Sequence, residues 1–364
     1  MRVLVVGGGI VGLSTAWALA RAEHKVEVFD QGGLPNQAGA SNDQHRLIRY
    51  FYPDRTGYCR MVEDAFAAWE RLWAAFGRRH YAETGAVAIS ARVDDWADRA
   101  RRTMDLAGLP YERFEGSEVA RRWPFLLTPA SYAIRTKRGG VLFAERIMTD
   151  LIALLAGLQV LRHANSTVTA IDAERGTITL KDGTTRSADA VVVAAGAWIG
   201  RLIPEFRERV TPVRNALLYV DPPPRLIATW ATAPSIVDCG AAAEVYAVPP
   251  VGGTSLKFGV GAHRRPGDPD RDRGLASDEA AQIMNHLRSV VADLGTYRLK
   301  GVRSCFYAMT KDERFILEQR ERLWIVSACS GHGFKFGALT GELVADAVTG
   351  KEEAEAVAQR LAGY

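Results

Sequence analysis

Cysteine is scarce in this chain: 364 residues contain four, Cys59, Cys239, Cys305 and Cys329, far apart and without a C-x-x-C pair. That spacing argues against a disulfide framework and a structural zinc site, and no metal centre is expected. Apolar runs of membrane-spanning length are also missing, so no membrane partner is expected. A net charge of only +4, carried by scattered basic residues, makes nucleic acid a poor partner. There is no internal repeat and no low-complexity tract. Met1-Arg2-Val3-Leu4 enters the first apolar run directly, which leaves no room for a signal peptide and predicts a cytoplasmic enzyme. The length exceeds a usual single core, so two domains or one large interleaved pair are expected.

What is present begins at the first strand. The apolar run Val3 to Val6 enters glycines spaced G-x-G-x-x-G, namely Gly7, Gly9 and Gly12, and Leu13 to Ala20 reads as the helix that follows. Gly7 permits the tight turn, Gly9 lets a pyrophosphate approach the backbone, and Gly12 lets helix and strand pack closely. The phosphates would rest on the helix N-terminus, where unpaired N–H groups favour anions. A second strand, Lys25 to Phe29, ends in Asp30, placed to accept from the adenosine ribose hydroxyls. An acid there disfavours a 2′-phosphate, so FAD or NAD is preferred to NADP.

Further on, helical periodicity runs from Tyr58 to Phe76, a polar helix is predicted around Asp94 to Ala107, and another carries Ile147, Leu151, Leu154 and Leu155. Val168 to Asp172 and Thr177 to Leu180 form a β pair, with a turn at Lys181-Asp182-Gly183 leading to the next strand. Ala188 to Val193 is continuously apolar and ends at Ala194-Ala195-Gly196-Ala197-Trp198, as a buried parallel strand enters a ligand-facing turn. From Val213 to about Gly261 the texture changes to strands with proline-rich turns. A helix over about Asp278 to Leu294, a strand at Leu323 to Ser327 and a helix over Gly337 to Val348 complete the pattern. The fold class is α/β: a discontinuous Rossmann-like cofactor domain of residues 1–85, 140–212 and 300–364, with an inserted β-rich α+β substrate domain of residues 86–139 and 213–299.

Near the C-terminal end stand Cys305-Phe-Tyr-Ala-Met-Thr-Lys-Asp-Glu-Arg-Phe315 and the glycine-rich run Ser330-Gly-His-Gly-Phe-Lys-Phe-Gly337. Together with the opening fingerprint, Arg46-Leu-Ile-Arg49, Gly139 to Leu142 and Tyr246 to Lys257, these segments resemble the monomeric sarcosine oxidase branch of the D-amino-acid-oxidase-like flavoproteins, over nearly the whole chain. The resemblance implies FAD as cofactor, bonded through its 8α-methyl carbon to the sulfur of Cys305; nearby Lys or Arg would favour the thiolate this needs. It assigns cofactor contacts to Gly7, Gly9, Ile10, Val11, Gly12, Asp30, Gln31, Ser41, Arg46, Val168, Gly196, Trp198, Gly331, Gly333, Phe334 and Lys335. Lys257 matches a lysine held over the flavin to speed reaction with oxygen, and Tyr246 would line the same cavity. Arg49 and Lys335 match a pair that holds the substrate carboxylate: the arginine offers a planar fork and the lysine a point charge.

The resemblance therefore implies oxidation of a C–N bond beside a carboxylate, with imine or oxo product and hydrogen peroxide. A secondary amino acid, N-methyl or cyclic, is expected, and a primary one is allowed. The partners expected are that small amine and O₂, in a monomer or small homo-oligomer. Two alternatives stay open: a dehydrogenase that passes electrons to a carrier, and a non-catalytic flavin-binding redox protein. One departure stands out. The family carries a histidine four residues after the lysine, whereas this chain has Gly261, and His263 receives no role; the cavity there has a different shape. His332 is expected to be structural.

Overall fold

A computed structural model describes residues 1–364. Short apolar runs rich in valine make the centre of its first sheet, because strands buried on both faces need apolar side chains on each. Six strands lie in the order Ile316–Arg320, Leu323–Ser327, Ala190–Val193, Arg2–Val6, Lys25–Phe29 and Leu161–His163. Five are mutually parallel, and Ile316–Arg320 closes one edge antiparallel. The helix Ile10–Arg21 returns over this sheet and packs against the helix Gly337–Val348. Small residues allow the close approach: a Cβ on Gly337 would collide with Ile10, and one on Gly341 with Ser14.

A second sheet of nine strands joins two stretches of chain far apart in sequence. Ala86–Ser90, Tyr132–Thr136 and Glu112–Glu115 continue the set made by Val210–Asp221, Leu256–Val260, Val245–Val248 and Ser235–Asp238, with Arg265–Pro266 at the edge. The ninth strand, Arg298–Thr310, pairs along the whole of Val210–Asp221. Residues 300–310, grouped with the cofactor region in the sequence reading, thus lie in the larger sheet, and so do residues 210–212. Their backbone pairing follows the adjacent strand rather than the texture of the flanking chain.

Two three-stranded sheets complete the architecture. One is Val168–Asp172, Thr177–Leu180 and Thr185–Ser187; the other is Arg46–Ile48, Gly140–Leu142 and Tyr81–Ala82, with Gly140–Leu142 in the middle. Three boundaries differ from expectation. The polar helix starts at Trp96, because the Asp95 side chain accepts from the Asp98 amide at 2.9 Å and so caps it. The helix expected to reach Leu294 covers Glu279–Leu287, and residues 294–296 form a separate 3₁₀ turn. The buried strand begins at Ala190 rather than Ala188. The long helix Thr56–Phe76 ends where Gly77 takes a left-handed conformation, φ 69°.

Candidate active site

One cavity, of about 1120 Å³, is lined by residues of both large sheets. At one end it is walled by the first strand's turn. Gly7 sits at φ 113°, and a Cβ there would meet the Ala194 carbonyl, so only glycine fits. Gly9 occupies the N-cap of Ile10–Arg21 and has no side chain of its own to cap the helix. The Ile10 amide donates to Ser41 Oγ at 2.9 Å. Asp30 is fixed by three donors: Gly8 N at 2.7 Å to Oδ2, and Gly32 N at 2.8 Å and Asn36 Nδ2 at 2.7 Å to Oδ1. Each carboxylate oxygen accepts two hydrogen bonds, so Oδ2 keeps capacity for one more donor.

Of the residues named from the sequence, all but two stand in the wall of this cavity: Gly7, Gly9, Ile10, Val11, Asp30, Gln31, Ser41, Arg46, Arg49, Val168, Gly196, Trp198, Tyr246, Lys257, Gly331, Gly333, Phe334 and Lys335. Gly12 lies behind it, packed so tightly on Gly7 that no Cβ would fit. Cys305 is buried just outside, grouped with Leu217, Tyr219 and Tyr307, with Tyr246 and Cys329 against the group. Burial pushes its thiol up, while Arg46, Lys257 and Arg303 pull in the opposite direction. The net direction is upward, against the thiolate expectation, because desolvation of a fully buried sulfur outweighs cations that do not touch it.

The far end of the cavity is rich in cations. Lys335 rises from the short 3₁₀ segment Phe334–Phe336, whose backbone is anchored by Trp69 Nε1 donating to the Lys335 carbonyl at 2.6 Å. Its Nζ donates to Tyr52 Oη at 3.0 Å and to the His332 carbonyl at 2.8 Å. Burial, and then the Arg49 charge, lower its pKa well below the usual lysine range. The half-buried Arg49 donates to the Phe51 carbonyl and lays its guanidinium 4.2 Å from the Tyr52 ring centre and 5.5 Å from that of Trp96. Neither Arg49 nor Lys335 forms an ion pair with any carboxylate of the protein. His332 is held at both ring nitrogens: its Nε2 lies 2.9 Å from the Glu313 carbonyl and so donates, which leaves Nδ1 to accept from Tyr52 Oη at 3.2 Å. Burial keeps this imidazole neutral.

Lys257 comes from the middle of Leu256–Val260, between Tyr219 and Val248 of the neighbouring strands. Its ammonium donates to Asp43 Oδ2 at 2.9 Å and to the His45 carbonyl at 2.6 Å. Asp43 escaped the sequence reading, although it stands three residues before Arg46 and forms an ion pair with it. An acid in an arginine-bearing loop that enters a strand was the available signal. Asp238, at the end of Ser235–Asp238, also lines the cavity; burial first, then Asp95 and Glu244, push its carboxyl up to about 7. Nothing in the local sequence distinguishes it from a surface acid.

The donor set at the glycine end fits a dinucleotide, and the length of the cavity from Gly7 to Lys335 leaves room for a second, reacting portion. Comparison with known proteins decides which one. A family model described as FAD dependent oxidoreductase matches residues 2–347.

The chain belongs to that family. It is an FAD-dependent oxidoreductase. Among related proteins, N-methyl-L-tryptophan oxidase of Yersinia pestis (strain Pestoides F) is 28% identical over 360 residues, which cover 94% of this chain and 93% of that protein. The open form of NikD, an unusual amino acid oxidase essential for nikkomycin biosynthesis, superposes with a TM-score of 0.82 at 23% identity, covering 99% of this chain and 96% of that one. Glycine oxidase from Geobacillus kaustophilus gives a TM-score of 0.79 at 23% identity over 97% and 96% of the chains. These structural likenesses show that the fold is shared.

Proposed function

We propose that the protein is an oxidase of the C–N bond of a carboxylate-bearing amino acid, with a secondary amine, N-methyl or cyclic, as the favoured substrate. The observation that carries this reading is the pair Arg49 and Lys335. Two cations from separate elements meet around Tyr52 in the cavity wall, and neither has a counter-ion. Uncompensated charge in a partly dry site costs free energy until an anion arrives, and the substrate carboxylate is that anion. Arg49 supplies a planar fork and Lys335 a point charge, which together set the α-carbon in one orientation.

The Lys335–Tyr52–His332 chain fixes the polarity at this end. Because His332 Nε2 donates to a carbonyl, Tyr52 Oη gives its proton to His332 Nδ1 and offers lone pairs to Lys335. The amine loses a hydride and a proton and becomes an imine, which water splits into a carbonyl compound and an amine. Bound FAD would supply the hydride acceptor and the two-electron, two-proton route to O₂ that yields hydrogen peroxide. Gly7, Gly9, Ile10, Val11, Asp30, Gln31, Ser41, Val168, Gly196 and Trp198 would hold its dinucleotide part, and Arg46, Cys305 and the turn Gly331–Lys335 its ring system. Lys257 would place a cation where oxygen acquires negative charge. A thioether to Cys305 would fix the ring covalently.

A peroxide assay with N-methyl, cyclic and free amino acids, each paired with the same amine lacking its carboxylate, tests the proposal. Peroxide formation should depend on the carboxylate. Equal turnover of the bare amines would overturn the clamp, and substrate-dependent bleaching without peroxide would overturn the oxidase reading in favour of a dehydrogenase.

A further inference from the structure

Asp43 belongs to the loop between Ser41 and the strand Arg46–Ile48 and is 1% exposed. Both of its oxygens are fully engaged. Oδ1 accepts from the Gln44 amide at 2.7 Å and from Tyr219 Oη; Oδ2 accepts from Lys257 Nζ at 2.9 Å and pairs with Arg46 Nη1. Arg46 is tied down further by the His45 carbonyl at 3.0 Å and the Ala40 carbonyl at 2.6 Å. One carboxylate therefore compensates two cations, leaving a single net positive charge. Lys257 spends two of its three N–H groups on Asp43 and the His45 carbonyl. The third remains for the cavity that Lys257 lines.

We infer that Asp43 is a positioning residue for Lys257, keeping its ammonium charged and aimed into the cavity despite burial. The inference rests on the reading of Lys257 as the cation that serves oxygen. Every other group around Lys257 works against its charge or does little for it. Arg46 and Arg303 repel it, Cys305 and the phenols Tyr219 and Tyr246 are protonated near neutrality, and His45, held neutral by burial, uses Nε2 on the Ser255 carbonyl at 3.0 Å. Desolvation alone drives a buried lysine toward the neutral amine, and a neutral amine offers oxygen no charge stabilisation. Asp43 is the one anion in contact with Lys257.

The test compares wild type, Asp43→Asn, Lys257→Met and the double variant, each with its cofactor bound, in two measurements. The first is reoxidation by O₂ against pH. In both proteins the rate should fall about tenfold per pH unit above the lysine pKa, and Asp43→Asn should begin to fall at a clearly lower pH than wild type. The double variant should be slow and flat. The second is melting temperature against pH, which does not depend on turnover. A lysine whose folded pKa lies below its unfolded value binds fewer protons folded than unfolded, so its cost to stability is full at low pH and vanishes as pH rises toward about 10. The deficit of Asp43→Asn relative to wild type should shrink with rising pH, and Lys257→Met should abolish that trend.

If Asp43→Asn matches wild type in both profiles, Asp43 does not hold the charge and the inference is wrong. If Lys257→Met reoxidises as fast as wild type, the oxygen reading of Lys257 fails instead, and the melting profiles still decide the role of Asp43. Should Asp43→Asn not accumulate, Asp43→Ser admits water at the vacated carboxylate and is read in the same way.

Discussion

Lys257 and Lys335 line the same cavity, are 2% and 4% exposed, and each has an arginine nearby that lowers its pKa further. Their partners differ in kind. Lys257 touches a carboxylate, Asp43, whereas Lys335 touches only a hydroxyl and a carbonyl, on Tyr52 and His332. The difference follows from the molecules each would serve. Oxygen brings no charge, so a cation beside it must be balanced by the protein itself. An amino-acid substrate brings its own carboxylate, and a resident acid beside Lys335 would compete with it.

Five experiments break or sharpen this contrast. The largest effect is all or none, at the Lys257 end: acid-precipitated wild type should stay yellow and Cys305→Ala should release its flavin entirely. Wild-type protein that loses its colour on precipitation would remove the covalent link. At the other end, Arg49→Ala should cost about 2–5 kcal/mol in kcat/KM, because truncation leaves a desolvated anion half paired. Carboxylate inhibitors should weaken in parallel, and an unchanged inhibitor affinity would show that the anion binds elsewhere.

Lys257→Met should slow reoxidation by roughly 10²- to 10³-fold, the scale of losing one preorganised charge donor, while reduction by substrate changes much less. Stopped-flow traces separate the two, and an equal effect on both half-reactions would contradict the division of labour. Tyr52→Phe removes one hydroxyl from the Lys335–His332 chain and should cost about 1–3 kcal/mol in binding of a carboxylate inhibitor, measured by flavin spectral titration.

The smallest effect concerns protons. Lys335 has a lowered pKa, so its charge, and with it carboxylate affinity, is full below that pKa and is lost as pH rises through it. Bound carboxylate raises the pKa again, so calorimetry in buffers of different ionisation enthalpy should detect proton uptake of less than about one per site. Lys335→Met should show neither the uptake nor that pH dependence.

Local sequence made part of this legible. The run Val3 to Gly12 specifies strand, turn and helix with little help from the rest of the chain, since glycine spacing and apolar period act over neighbouring residues. Lys335 was picked out by the family resemblance, at its place inside the glycine-rich turn Gly331 to Gly337. Asp238 did not: its carboxyl is ordinary until a sheet, assembled from residues 86–136 and 210–310, encloses it.

By itself, then, the sequence determined the nucleotide-binding opening and the α/β alternation, since both depend on short-range spacing and side-chain type, while the cations of the site were picked out by resemblance to a family. Tertiary structure decided which cations are balanced and which are free. Asp43 lies 214 residues from Lys257, and Tyr52 lies 283 residues from Lys335. Those pairings arise only when the two large sheets close on one cavity, because electrostatic partnership is set by distance and burial, and separation along the chain encodes neither.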